Sequence, residues 1–474
     1  MEKLFKLQEN GTSVRTEIVA GLTTFLTMAY IIALNPNILT FYGSAGGNEL
    51  WNAVFLATCL ASGIAMICMA FIANKPFCLA PGMGLNSFFA ATVMSITAVG
   101  VDYVAGFQAM LLVVLAEGII FVILTLARVR EKIVEAIPKA VRYGIAPAIG
   151  LMLLNIGFGS NVYIADSSFN QFFMLGDFFG ALTAIQAAAN MGDAYPTMVL
   201  SVVTMLIGLF CIIFLVKKDV KGSVIIGMLV ASVVYWIGQA LFLGQNPFAA
   251  LSQASWVPAF GDMAALTLFK FNFATVAQIG WLTVITLIIT FCMIDMFDTI
   301  GTLIGTASRA GMVDEEGNMP NMKEALLCDA VGTCVGGLTG TSTVTTFVES
   351  ASGVEAGGRT GLTALTCGIL FLACLFLAPI ARIIPAPATS AALIYVGILM
   401  LMGLKNINFS DINEVVPVTV MLIAMPVSGS IGNAIGLGLI FYAVLKIFDG
   451  KAKEVSVLTY VIAALFLIKF FFVA

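Results

Sequence analysis

Residues 340–361 read Gly-Thr-Ser-Thr-Val-Thr-Thr-Phe-Val-Glu-Ser-Ala-Ser-Gly-Val-Glu-Ala-Gly-Gly-Arg-Thr-Gly. The run is small, hydroxylated and glycine-rich, yet it sits between strongly apolar segments. It suits a helix that stops in mid-membrane, where free backbone N–H and C=O groups face a cavity. Half-helix ends of this kind bind ligands through the backbone. A nucleotide P-loop does not fit, because no Gly-Lys-Ser/Thr closes the glycine run. Packing accounts for the glycines but not for Glu349, since an acid at bilayer depth is expensive and functional by default. Glu355 and Arg359, spaced i, i+4 near the membrane edge, read instead as a surface ion pair.

The first half holds a counterpart, Lys-Pro-Phe-Cys-Leu-Ala-Pro-Gly-Met-Gly-Leu-Asn-Ser-Phe-Phe (75–89). Pro81, Gly82 and Gly84 interrupt a hydrophobic segment, and Asn86 then offers an amide at the start of an apolar helix. This segment is third in its half, as the Glu349 segment is in its own. Paired broken helices at matching positions point to a transport site. Ser87 and Phe88 beside Asn86, and Val348 beside Glu349, are its expected lining. The run Phe-Cys-Met-Ile-Asp-Met-Phe-Asp-Thr-Ile-Gly-Thr (291–302) adds Asp295 and Asp298 on neighbouring rows of one helix, with Thr302 one turn beyond Asp298. Glu117 and Asp329 are weaker candidates, expected to pair with Ser, Thr or backbone groups between helices.

Around these motifs lies a chain of 474 residues, 60% hydrophobic and only 10% charged, with mean hydropathy +1.04. Soluble proteins carry about 25% charged residues. A water-facing surface of this size cannot be coated with so few charges, so the chain reads as an all-α polytopic membrane protein in a lipid bilayer, with no nucleic-acid partner. Formal net charge is −4. There is no histidine, which removes the usual metal ligand, general base and Ser-His-Asp triad. The nine cysteines fall in apolar segments without a CxxC pair, so no metal site, cofactor or disulfide framework is expected.

A ruler of about 20 apolar residues per crossing gives segments near 18–39, 51–73, 76–97, 103–126, 140–159, 195–216 and 222–243. The second half gives 278–305, 323–340, 342–358, 360–380, 386–404 and an unsettled tail, 414–473. The total is about 14. Residues 1–17 form a charged cytoplasmic lead, 18–243 a first seven-segment repeat and 244–474 a second. With the N-terminus cytoplasmic, Lys3, Lys6, Arg15, Lys75, Arg128, Arg130, Lys132, Lys139, Arg142, Lys217, Lys218 and Lys221 all lie inside, whereas loops 40–50, 98–102 and 160–194 hold no Lys or Arg. In the tail, Lys446, Lys451 and Lys453 prefer the cytoplasm, against a plain alternating count. Ile137-Pro138 with Gly150 recurs as Ile384-Pro385 with Gly397, at a constant offset of 247. Seven segments per half invert the second copy, the arithmetic of an inverted-repeat secondary transporter.

The runs 80–86, 295–302 and 340–361, with the opening Arg-Thr-Glu-Ile-Val-Ala-Gly-Leu-Thr-Thr-Phe-Leu-Thr-Met-Ala-Tyr (15–30), resemble the AzgA-like branch of the nucleobase–cation symporter-2 family, the adenine, guanine and hypoxanthine permeases. The resemblance covers essentially the whole chain. It implies a seven-plus-seven inverted repeat, with a core domain from segments 1–4 and 8–11 and a gate domain from 5–7 and 12–14. It also implies short strands leading into half-helices 3 and 10. By motif, the segment-8 acid is Asp298, with Asp295 the runner-up, the segment-10 acid is Glu349, and the polar position on segment 3 is Asn86. Uracil-type relatives often have histidine one turn after the segment-8 acid. Here that place is Thr302, so proton handling falls to the carboxylates Asp298 and Glu349, and a pyrimidine substrate is disfavoured.

The chemistry agrees. A purine is flat, neutral and rich in donors and acceptors, and needs a few convergent polar groups between apolar walls. Carboxylates accept from its ring N–H and exocyclic amine groups, and an acid enclosed by apolar walls can take up and release a coupling proton. The expectation is proton-coupled purine uptake at the cell membrane, not enzymatic turnover. Asp295 is expected to steady the half-helices by accepting backbone N–H bonds. An anion transporter or exchanger on the same architecture would want a cationic residue near the broken helices. A membrane-embedded hydrolase would want a cross-helix dyad, which two aspartates at i, i+3 do not supply. Which purine is preferred, proton against sodium coupling, and a homodimer stay open.

Overall fold

The computed structural model describes residues 2–41, 43–127, 138–158, 194–220, 222–248, 251, 255–309, 312, 319, 321–428 and 431–472. Ile137 of the echo, the charges Arg128, Arg130, Lys132 and Lys221, and loop 160–194 up to residue 193 lie outside them. Regular secondary structure among the described residues is helical apart from one two-stranded antiparallel sheet.

The first half runs α1 (Glu2–Phe5), α2 (Val14–Met28), α3 (Ile31–Leu39), α4 (Gly47–Cys68), β1 (Leu79–Pro81), α5 (Met83–Ala98) and α6 (Tyr103–Leu126). Then come α7 (Lys139–Phe158), α8 (Ala194–Lys217) and α9 (Ser223–Phe242). The second half begins with α10 (Phe260–Leu266), α11 (Phe273–Ile279), α12 (Trp281–Arg309), α13 (Met322–Thr339) and β2 (Val344–Thr346). It continues with α14 (Ser350–Glu355), α15 (Gly361–Ala373), α16 (Ala378–Arg382) and α17 (Ala386–Leu401), and ends with α18 (Ile412–Ser428), α19 (Ile431–Phe448) and α20 (Val457–Phe472).

Local chemistry sets the boundaries. Ser13 accepts from the Thr16 N–H and starts α2, and Asp102 accepts from the Val104 and Ala105 N–H groups and starts α6. The helical lead-out of α4 stops at Asn74, whose backbone turns left-handed. Pro76 and Pro81 then keep the next segment extended.

Among the described residues, seven helices are long and apolar enough to cross a membrane, or eight if the pair Phe273–Ile279 and Trp281–Met296, bent by 101°, is one span. The segments at 76–97 and 342–358 are interrupted as expected, each opening with extended chain and a three-residue strand. Two expectations change. The lead at 1–17 overlaps the first span, since α2 begins at Val14 and Glu17 is wholly buried. The tail at 414–473 divides at residues 428–431 and 448–457 into three helices, each shorter than the ruler allows.

Packing sorts the helices. α2, α4, α6, α13 and α15 pack on one another, as do α7, α8, α9 and α17, while α18 pairs with α7 and α19. The α7–α17 contact is made at Gly150 and Gly397. A Cβ on Gly150 would lie 2.7 Å from the Gly397 carbonyl oxygen, and one on Gly397 would lie 2.8 Å from the Gly150 oxygen. So the two glycines of the sequence echo touch each other reciprocally, as a two-fold relation between their segments would make them do.

Candidate functional site

Two interrupted segments cross in the interior. β1 and β2 pair antiparallel with Leu79 opposite Thr346, Ala80 opposite Thr345 and Pro81 opposite Val344. The ladder is lengthened on both sides, by the Gly82 N–H donating to the Thr343 carbonyl at 3.1 Å and the Phe347 N–H donating to the Cys78 carbonyl at 2.9 Å. Without water to serve them, these backbone groups are served by each other. Side chains complete the frame: the Ser350 hydroxyl accepts from the Cys78 N–H at 2.9 Å, and the Thr333 hydroxyl donates to the Val344 carbonyl at 3.0 Å. Glu117, fully buried on α6, accepts from the Thr343 hydroxyl at 2.6 Å and so braces the chain entering β2. The crossing leaves the first turn of α5 pointing inward with no side-chain cap.

Asn86 lies in that turn. Its amide donates to the Pro81 carbonyl at 3.3 Å, and its side-chain oxygen accepts from the Ser342 hydroxyl, so one residue ties both broken segments together. Ser87 follows, buried, and its hydroxyl has no hydrogen-bond partner among the described residues; the Thr346 hydroxyl on β2 is in the same state. Phe88 packs against Phe291 of α12, ring centroids 4.9 Å apart.

The two α12 aspartates separate. Asp298 is only partly buried, and one carboxylate oxygen lies 3.7 Å from where a Cβ on Gly82 would stand, at the threshold of α5. Its acidic neighbours are Asp329 and Glu349. Asp295 is wholly buried and accepts from the Thr299 hydroxyl at 3.0 Å. That hydroxyl also lies 2.9 Å from Asp329 of α13 and 2.6 Å from the Thr345 hydroxyl of β2. Asp295 thus reaches the broken segment through the Thr299 hydroxyl. Thr302 stands partly buried one turn beyond Asp298.

Glu349, partly buried, immediately precedes α14 and accepts from the Tyr30 hydroxyl at 2.6 Å. Tyr30 is fully buried between α2 and α3. Val348 beside Glu349 stays 45% exposed. The glycines that follow have a packing role. A Cβ on Gly358 would lie 2.9 Å from Ala20, Gly353 abuts Thr24 and Ala20, and Gly361 abuts the backbone of Ala70. Arg359 spends its guanidinium on the Val354 and Gly358 carbonyls, both at 2.7 Å, and not on Glu355, so the expected surface pair is replaced by a helix C-cap.

The structure therefore brings Asn86, Ser87, Phe88, Asp298 and Glu349 to the neighbourhood of one crossing, with Asp295 behind it. Tyr30, Thr299, Ser342 and Thr345 were missed. Tyr30 ends the motif at 15–30, and Thr299 directly follows Asp298, so lone hydroxyls in apolar runs were the available signal. A cavity of about 220 Å³ lined by Asn52, Asp262 and Arg382 lies where α4, α10 and α16 meet and includes none of these residues.

The Permease family Xan_ur_permease matches residues 15–428. The adenine permease AdeP of Escherichia coli is 36% identical over 100% of this chain and 96% of its own. The guanine/hypoxanthine permease PbuO of Bacillus subtilis is 35% identical over 99% and 100%. Among solved structures, the transmembrane domain of the cyanobacterial bicarbonate transporter BicA superposes with TM-score 0.62 at 17% identity, covering 89% of this chain and 96% of that one, a likeness of fold alone. The interrupted segments, the apolar helices and these relatives agree: the chain belongs to the permease family and is a multi-pass membrane transporter, not an enzyme.

Proposed function

We propose that the chain takes up purine nucleobases, namely adenine, guanine and/or hypoxanthine, by proton symport with alternating access across the cell membrane, its N-terminus cytoplasmic. The observation that carries this reading is the meeting of Asp298 and Glu349 at the β1–β2 crossing, beside the uncapped start of α5. Two carboxylates accept from N–H groups on a flat, neutral heterocycle. The helix start and the unpartnered Ser87 and Thr346 hydroxyls serve its ring nitrogens and carbonyl. The substrates named for AdeP and PbuO support the purine class.

In this reading the helices form about 14 segments in a 7+7 inverted repeat. The group around α2, α4, α6, α13 and α15 is the core, and the group around α7, α8, α9 and α17 is the gate, in keeping with their packing and with the reciprocal Gly150–Gly397 contact. The coupling proton is carried by the acids, Asp298 and Glu349 foremost. The likeness to a bicarbonate transporter raises the anion reading, but the charged side chains described at this crossing, Asp298 and Glu349, are acids, which repel an anion.

The test is uptake of radiolabelled adenine, guanine and hypoxanthine in cells expressing the chain. Uptake of at least one should collapse with a protonophore and persist without sodium. Sodium-dependent, protonophore-insensitive uptake would overturn the symport assignment, and bicarbonate or sulfate uptake without any purine uptake would overturn the substrate class.

A further inference from the structure

Glu17 is a carboxylate with no solvent exposure near one end of α2, three residues inside its first turn. Nothing in the transport reading uses it. Burying a charge is costly unless hydrogen bonds compensate, and here they do. One oxygen accepts from the Arg359 N–H at 2.8 Å and the Thr360 N–H at 3.2 Å. The other accepts from the Thr363 N–H at 3.2 Å and the Thr363 hydroxyl at 2.6 Å. Thr360 is the N-cap of α15 and Thr363 lies in its first turn, where a negative charge is also favoured by the helix dipole. Glu17 is therefore a helix cap supplied from more than 340 residues away in sequence.

At the other end of the same helix, 13 residues and about 20 Å along, Tyr30 donates to Glu349. Between the two ends α2 lies directly on the backbone of α14 and α15. A Cβ on Gly21 would lie 2.7 Å from the Thr363 carbonyl, Gly353 abuts Thr24, and Gly358 lies against Ala20. The contact is backbone-close throughout, so α2 cannot slide without breaking it. A rod gripped near one end and bonded at the other transmits its register.

We propose that Glu17 is a positioning residue for transport: by gripping the start of α15 it holds α2 in the register that presents the Tyr30 hydroxyl to Glu349. The proposal rests on the reading that Glu349 contacts the transported base. Glu17 touches no substrate and acts only through Tyr30. Its consequence is specific. Loosening the grip misplaces the Glu349 carboxylate and weakens binding, while the turnover of bound substrate is retained.

The test is a double-mutant cycle on hypoxanthine uptake, with KM and maximal rate normalised to the amount of protein in the membrane. Tyr30→Phe and Glu17→Gln are each expected to raise KM about three- to tenfold with maximal rate kept within about twofold. The double variant is expected to be no worse than the more severe single one, because both remove the same alignment. Thr363→Val deletes one hydroxyl from the grip and serves if Glu17→Gln fails to fold; its KM should rise in the same direction. Glu17→Asp should recover part of the loss. Multiplying KM effects in the double variant, or unchanged KM in folded Glu17→Gln or Thr363→Val, would overturn the proposal. Wild-type uptake by Glu349→Gln would instead remove the reading on which it rests.

Discussion

Asp295 and Asp298 are three residues apart on α12, yet their surroundings assign them different work. Asp295 is buried and bonded to Thr299, whose hydroxyl joins it to Asp329 and to Thr345 on β2. Asp298 stands at the threshold of α5, partly open. Asp298→Asn should therefore weaken purine binding at least tenfold, since a charge-assisted hydrogen bond contributes about 1.5–3 kcal/mol, and should leave the melting temperature near wild type. Asp295→Asn should do the reverse, because it replaces a buried carboxylate acceptor in the network that Asp329 and Thr345 share through the Thr299 hydroxyl. Purine affinity and melting temperature of each variant in detergent check this pair. Equal losses of affinity would put both acids on the substrate. The acids themselves were legible in sequence because charge inside an apolar run is conspicuous. Their partners were not: Thr299, Thr345 and Tyr30 are unremarkable residue types in a membrane segment, and only the folded chain shows which hydroxyl meets which carboxylate.

At the scale of elements, the interruptions were readable and the pairing was not. Pro81 and Gly82 announce a break, and the hydroxylated run at 341–346 announces another. Strands of three residues carry no period to read, however, and their ladder joins residues more than 260 positions apart. Gly340 shows the same limit: its backbone takes φ +119° where Thr267 closes over it, a contact no local pattern predicts. The α7–α17 contact is the opposite case, since the echo at Gly150 and Gly397 was visible in sequence and the two residues prove to touch. A side chain there meets backbone, which cannot swing aside as a flexible side chain would. Gly397→Val should accordingly lower the melting temperature through overpacking, at a cost of about 1–3 kcal/mol. Gly261→Ala, where an added Cβ meets nothing within 4 Å, should leave it unchanged. Equal melting temperatures for the two variants would mean that α7 and α17 separate freely at this crossing.

For the whole molecule, the tail decides whether loop charge and structure tell one story. Counted as a single span followed by a remainder, residues 414–473 place Lys446, Lys451 and Lys453 against the positive-inside rule. The break between α18 and α19 removes the conflict. α18 and α19 pack together, and the Asn413 amide at the start of one donates at 2.7 Å to Asp449 just beyond the end of the other. The pair is thus a hairpin whose open end holds residues 402–411 and 449–456 on one side. Lys405 then shares that side with Lys446, Lys451 and Lys453, and Lys446 is held there by Glu454 at 2.9 Å. α18 and α19 have 17 and 18 residues, so each is about 26 Å long, close to but short of the roughly 30 Å hydrocarbon core. A ruler of 20 residues leaves this tail unsettled for that reason. The proposed orientation makes the shared side cytoplasmic. Lys405→Cys and Lys451→Cys, each compared with the parent chain, should react with a membrane-impermeant maleimide in inverted vesicles and stay unlabelled in intact cells. Labelling of both from outside would reverse the orientation and keep the hairpin. Labelling of the two from opposite sides would break the hairpin itself, and with it the inverted seven-segment count for the second half.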